Sequence, residues 1–287
     1  MANSGNNNNA SPAGALYLTA AVYLIWLLLS GFMPRSGDIY GYGIILQFAA
    51  ILLPASLYCN LRGDDLLLRM RITLFSPAKT VFLLLFVLAL FCGSVLFGFV
   101  FGSNGTVQEN GEVSFMAVVC IAVLPAIAEE MLFRGILMSE LEKHGAFAAV
   151  VVSSLMFAMF HFSLKGIVGY FFCGLLLALC VYVTRSLLAS FAVHIAYNLL
   201  LLLGGGRIKA FFDISGDAAF MAVLLIAVLL VCLILIFGEC QRTYALYAEQ
   251  NLASPHAKRN GSAGFLAALF SPAAAVCMII FIVALVM

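Results

Sequence analysis

Ala128-Glu129-Glu130-Met131-Leu132-Phe133-Arg134 is the stretch on which the reading of the fold turns. It sets two carboxylates and a guanidinium inside a run, roughly 113–139, that is otherwise apolar enough to cross a membrane. A charge at the bilayer centre costs about 2.5–3.5 kcal/mol even on the lenient insertion scale, and intramembrane ionisable groups mark functional sites by default. The apolar part before Glu129 is too short to span alone, so the run crosses only if one helix continues through the charged turn. Three such charges in one turn and a half need partners elsewhere in the protein.

Outward from that stretch, the chain has the composition of a polytopic membrane protein. Of 287 residues, 64% are hydrophobic and 9% charged, against about 25% charged in soluble domains. The net charge of +1 supplies no basic field for nucleic acid. The expected fold is an all-α transmembrane bundle of about 8–9 spans, near 13–33, 41–60, 80–102, 113–139, 146–164, 166–184, 186–204, 218–238 and 263–286. Breaks at Pro34-Arg35-Ser36-Gly37-Asp38 and Gly204-Gly205-Gly206-Arg207 separate two pairs of these. Residues 1–12 read as a disordered tail, 13–112 as N-terminal spans, 113–204 as the core that carries the chemistry, and 205–287 as C-terminal spans. Within 62–79, Asp64 to Phe75 reads as one short interfacial helix, and span eight is expected to continue helically through Tyr247. Counting basic residues by loop favours a cytoplasmic N-terminus: Arg62, Arg69, Arg71, Lys79, Lys143, Arg185, Arg242, Lys258 and Arg259 then lie inside, and Arg35, Lys165, Arg207 and Lys209 outside.

Two further histidines, His161 and His194, fall deep in the proposed spans; His144 and His256 lie in loops. At about 1.5 Å per residue from the cytoplasmic ends, Glu129, His161 and His194 lie roughly 15, 22 and 12 Å deep, so one chamber can hold them. Glu130 and Arg134 are i,i+4 neighbours on one face, which favours an ion pair. Glu129 is rotated by about 100° from Glu130, is left without that partner, and is a candidate general base. Phe157 and His161 share a face, placing an aromatic wall one turn before the imidazole. His194 and Asn198 share another, where two hydrogen-bond donors could face an oxyanion. Taken singly, a membrane His or Asn is more often interhelical glue.

Three elements in order, E-E-x-x-x-R (Glu129, Glu130, Arg134), F-x-x-x-H (Phe157, His161) and H-x-x-x-N (His194, Asn198), resemble the CPBP or Abi family of type II CAAX prenyl endopeptidases and bacteriocin-processing or self-immunity proteins. The resemblance covers about 113–204. It implies an intramembrane endopeptidase in which Glu129 and His161 activate water, His194 and Asn198 hold the oxyanion, and Glu130, with Arg134 and Phe157, supports the site. No cofactor is expected to be required. A divalent metal such as zinc remains open, because two histidines and a glutamate could ligate it although no H-E-x-x-H helix is present. The implied partners are the lipid bilayer and a hydrophobic or lipidated peptide or protein substrate, with no nucleic acid; the oligomeric state is unreadable. The implied location is a bacterial cell membrane. Competing readings are a non-catalytic scaffold or immunity factor of the same fold and a proton-coupled transporter, the latter disfavoured by the lack of an inverted repeat.

Overall fold

The computed structural model describes residues 13–32, 39–63, 68–76, 79–102, 113–215, 218–249 and 261–287. The described residues form ten helices and no strand. They are α1 (Ala13–Ser30), α2 (Ile39–Arg62), α3 (Thr80–Phe101), α4 (Phe115–His144), α5 (Ala146–Phe160), α6 (Ile167–Thr184), α7 (Leu187–Ser215), α8 (Ala218–Glu249), α9 (Gly261–Leu269) and α10 (Pro272–Val286). Seven of them are long and apolar enough to cross a membrane, or eight spans if the bent pair α9–α10 counts as one. The chain is a multi-pass integral membrane protein. Its outer helices expose large apolar side chains, such as Phe220, Val223, Leu230, Ile234 and Phe237 on α8, as lipid-facing surfaces must.

The charged run is one helix, as the fold required: α4 continues through Glu129 and Arg134 to His144. It is not regular. Val118–Val123 and Met131–Leu137 are π-helical, and α2 has a similar segment at Phe48–Leu52. Two of the three precede an interior proline. Pro54 and Pro125 cannot donate to the ladder, and their rings crowd the carbonyls four residues back, Ala50 and Ile121, which lie within the widened turns. Leu53 and Leu124 accordingly bond five residues back, to Phe48 O and Val119 O. The Met131–Leu137 segment has no proline and starts directly after Glu130; π segments inside α-helices occur frequently at functional sites.

Around α4, α5 is the central helix, with most of its side chains buried between α4, α6 and α9. α5 and α6 approach closely at Gly174, where an added Cβ would lie 2.9 Å from Ser154 Cβ. α1 packs along α10, α8 along α3, and α7 against α4 and α3. The Tyr23 hydroxyl of α1 donates to Met156 O, and Tyr23, Trp26, Phe133, Phe157, Phe160 and Phe162 make one aromatic cluster above the site.

Several sequence expectations change. The expected helix over 146–164 ends at Phe160, because His161 caps it and Phe162 turns left-handed at φ +45°. At about 1.5 Å per residue a helix of 15 residues is short of a 30 Å core. The break expected at Gly204–Arg207 is absent: α7 runs through it to Ser215, since glycine costs a helix about 1 kcal/mol per residue but does not stop it. The last span breaks at Phe270–Ser271 by 51°, where Ser271 caps Ala274 N and Pro272 opens α10. Helix α8 continues to Glu249, as expected. Of the expected interfacial helix, 64–67 lie outside the described residues, Leu68 and Arg69 are helical, and Met70–Arg71 turn into irregular chain from Ile72 to Ser76. The 1–12 tail and the 33–38 break lie outside the described residues.

Candidate active site

Glu130 is the hub of the site. Its Oε1 is 2.7 Å from Arg134 Nη1 and 3.0 Å from His194 Nδ1, and its Oε2 accepts from the Ser190 hydroxyl. Arg134 spends its other terminal nitrogen on Gly174 O at 3.2 Å, and its guanidinium carbon lies 4.2 Å from the Phe157 ring centroid. Both side chains of the pair are 0% exposed. A buried ion pair is costly unless further hydrogen bonds reach its remaining lone pairs and protons; of this pair, Arg134 Nε is the buried polar atom left without such a partner among the described residues. Here α7 supplies Ser190 and His194, α6 the carbonyl, and α5 the aromatic face. The i,i+4 pair foreseen from spacing therefore holds four helices together.

Glu129 points away from this pair. Its Oε2 lies 4.0 Å from His194 Nε2, a gap short of direct hydrogen bonding and suited to a shared third atom. His194 thus stands between the two glutamates, with Nδ1 on Glu130 and Nε2 toward Glu129. Glu130 is ionised by its guanidinium partner, so Nδ1 carries the proton and donates it. Two carboxylates and one guanidinium leave one negative charge in a nearly dry setting.

His161 sits at the mouth of the group, half-buried, on the C-cap of α5. Its Nδ1 is 3.0 Å from Phe157 O. A carbonyl only accepts, so Nδ1 carries the hydrogen and Nε2 keeps its lone pair, without a hydrogen bond among the described residues. The Phe157 ring separates the two imidazoles, with centroid distances of 4.9 Å to His161 and 6.0 Å to His194. Asn198 donates through Nδ2 to Ala122 O at 3.3 Å, in the first π segment of α4. One of its two amide hydrogens is thereby committed to joining α7 to α4, and the other remains available.

All seven residues singled out from the sequence, Glu129, Glu130, Arg134, Phe157, His161, His194 and Asn198, thus lie on α4, α5 and α7 where those helices meet. Sequence reasoning missed Ser190, one helical turn before His194 on the same face; a serine at that spacing was the available signal. It also missed Tyr170 of α6, whose ring stacks on His161. Among the described residues no three His, Cys, Asp or Glu side chains are grouped to hold a metal ion. With Nδ1 of His161 held by Phe157 O and Nδ1 of His194 by Glu130, Nε2 is the nitrogen each histidine has left to meet a metal, water or substrate.

A family profile described as type II CAAX prenyl endopeptidase, Rce1-like, matches residues 111–200, a segment that contains every one of these side chains. No curated protein and no solved structure matches the chain.

Proposed function

We propose that this chain, whose residues 111–200 match the type II CAAX prenyl endopeptidase, Rce1-like, profile, is an intramembrane endopeptidase acting on a hydrophobic or lipidated peptide at the membrane. The observation that carries the reading is the 4.0 Å approach of Glu129 Oε2 to His194 Nε2, with Nδ1 of the same imidazole tied to Glu130. In this mechanism, water sits between the Glu129 carboxylate and the peptide carbonyl, with His161 Nε2 accepting its second hydrogen. Glu129 takes a proton as the water oxygen bonds to the carbonyl carbon. The developing oxyanion receives Nε2–H of a protonated His194 and the spare N–H of Asn198, donors fixed before the charge appears. Glu130 faces the positive imidazole across Nδ1 and stabilises it. Glu129 then passes its proton to the departing amine nitrogen as the C–N bond breaks.

Comparative proteomics of membranes carrying wild-type protein or Glu129→Ala tests this directly. A general base contributes about 10²–10⁴-fold, so the variant is expected to accumulate one or more uncut hydrophobic precursors. Its folded yield should match wild type, because Glu129 takes no part in the Glu130–Arg134 pair. Normal processing by a folded Glu129→Ala protein would remove the mechanism and leave a scaffold of this fold.

A further inference from the structure

A general base or water-orienting imidazole works only if its ring plane is held, and the hydrogen bond from His161 Nδ1 to Phe157 O fixes one atom of the ring, not its plane. The plane is held by Tyr170. Its ring lies face to face with the imidazole, centroids 3.8 Å apart and planes 18° apart, while Phe157 and Phe160 meet the imidazole by their edges at 64° and 79°. Tyr170 reaches this position by lying over Gly166, one turn earlier at the start of α6. A Cβ at Gly166 would run into the tyrosine ring and come within 3.2 Å of Ser163 Oγ. The Gly166 backbone itself does not demand glycine, since its φ is −88°. What it supplies is clearance. The Tyr170 hydroxyl makes no hydrogen bond among the described residues, so the ring alone carries the contact.

We propose that Tyr170 is a positioning residue that fixes the plane of the His161 imidazole, and that Gly166 is the gap that admits its ring. The inference rests on the endopeptidase reading for its effect on cleavage and on geometry alone for its effect on the histidine. The turn between the α5 C-cap and α6 thereby becomes part of the site, although its own residues carry no reacting group.

The full chain in nanodiscs, labelled with ¹⁵N-histidine, reports the second effect. Tyr170→Phe should leave the Nδ1-protonated His161 signal unchanged, whereas Tyr170→Leu, apolar but without a stacking face, should shift or broaden it. In the membrane assay, cleavage of the precursor that Glu129→Ala leaves uncut should be normal in Tyr170→Phe. It should fall about tenfold to a hundredfold in Tyr170→Leu, the scale of a misplaced catalytic group. Gly166→Ala should lower cleavage when Tyr170 is present and add little to Tyr170→Leu, because the two changes disrupt one contact. An unchanged His161 signal in Tyr170→Leu overturns the proposal. So does normal cleavage by Tyr170→Leu alongside an inactive Glu129→Ala, or a Gly166→Ala defect that is the same with and without the tyrosine ring. Normal cleavage by Glu129→Ala would instead defeat the endopeptidase reading, and the histidine signal would still decide whether Tyr170 holds the ring.

Discussion

Helix α4 carries two charge clusters, and they are built on opposite principles. At its centre, Glu130 and Arg134 are fully buried, and each contact comes from one residue of a neighbouring helix. At its end, Glu140 is buried beneath three cations, Arg62 at 2.7 Å, Lys143 at 3.1 Å and Arg69 at 3.3 Å, which are themselves 23–35% exposed. Next to it, Arg71 grips both oxygens of Glu142 at 2.8 Å. Residues 70–73 add backbone ties: Leu187 N donates to Arg71 O, Ser186 Oγ to Thr73 O, and Thr73 Oγ1 to Arg185 O. Met70 fills the space over Gly135, where a Cβ would lie 2.7 Å from its Cε. The end cluster is a redundant, water-edged belt tying 68–76 beneath the bundle. The central cluster has a single permanent cation and no solvent to replace it. Charge in a membrane protein can thus serve as fastening at the rim and as chemistry in the interior, and the number of spare partners tells which.

The difference can be broken by substitution. Arg134→Ala should have the largest effect, lowering stability by about 3–5 kcal/mol because it leaves a buried carboxylate uncompensated; thermal unfolding in detergent and folded yield would register it. A loss below about 1 kcal/mol would mean that the centre is as forgiving as the belt. Ser190→Ala should cost about 1–3 kcal/mol, the price of one missing donor to a buried charge, and should leave the Arg134 pair in place. Arg69→Gln should be smallest, under about 1 kcal/mol, since two cations remain on Glu140 and the site is partly screened. Raising ionic strength should shrink the Arg69 effect further and leave the Arg134 effect nearly constant. A large, salt-insensitive Arg69 effect would show that the belt is not redundant.

Much of the site was legible before any coordinates, for a local reason. Spacing of four along a helix puts side chains on one face, so Glu130 with Arg134, and Phe157 beside His161, follow from the sequence and hold in three dimensions. The same rule placed His194 and Asn198 together but not their partners. Asn198 bonds Ala122 O, and His194 turns Nδ1 to Glu130, so an oxyanion role for His194 now requires a second proton on its ring. Neither contact has a signature in spacing, because each joins α7 to α4. Tyr170 was invisible for a related reason: its stack on His161 crosses a turn whose course depends on Phe162 entering the left-handed region. Of the π segments, the two before Pro54 and Pro125 had a visible cause, and the one around Arg134 had none.

The sequence by itself determined that this chain lives in a bilayer as helices, that α4 must carry its charges across, and that few other groups could meet them. Those conclusions follow from the cost of charge in hydrocarbon and from helical periodicity, both of which are local. Tertiary structure alone decided which glutamate holds the imidazole and which faces the open gap, where α5 stops, and what steadies His161. Those outcomes depend on how helices distant in sequence are rotated and how closely they approach, which no periodicity along a single helix encodes.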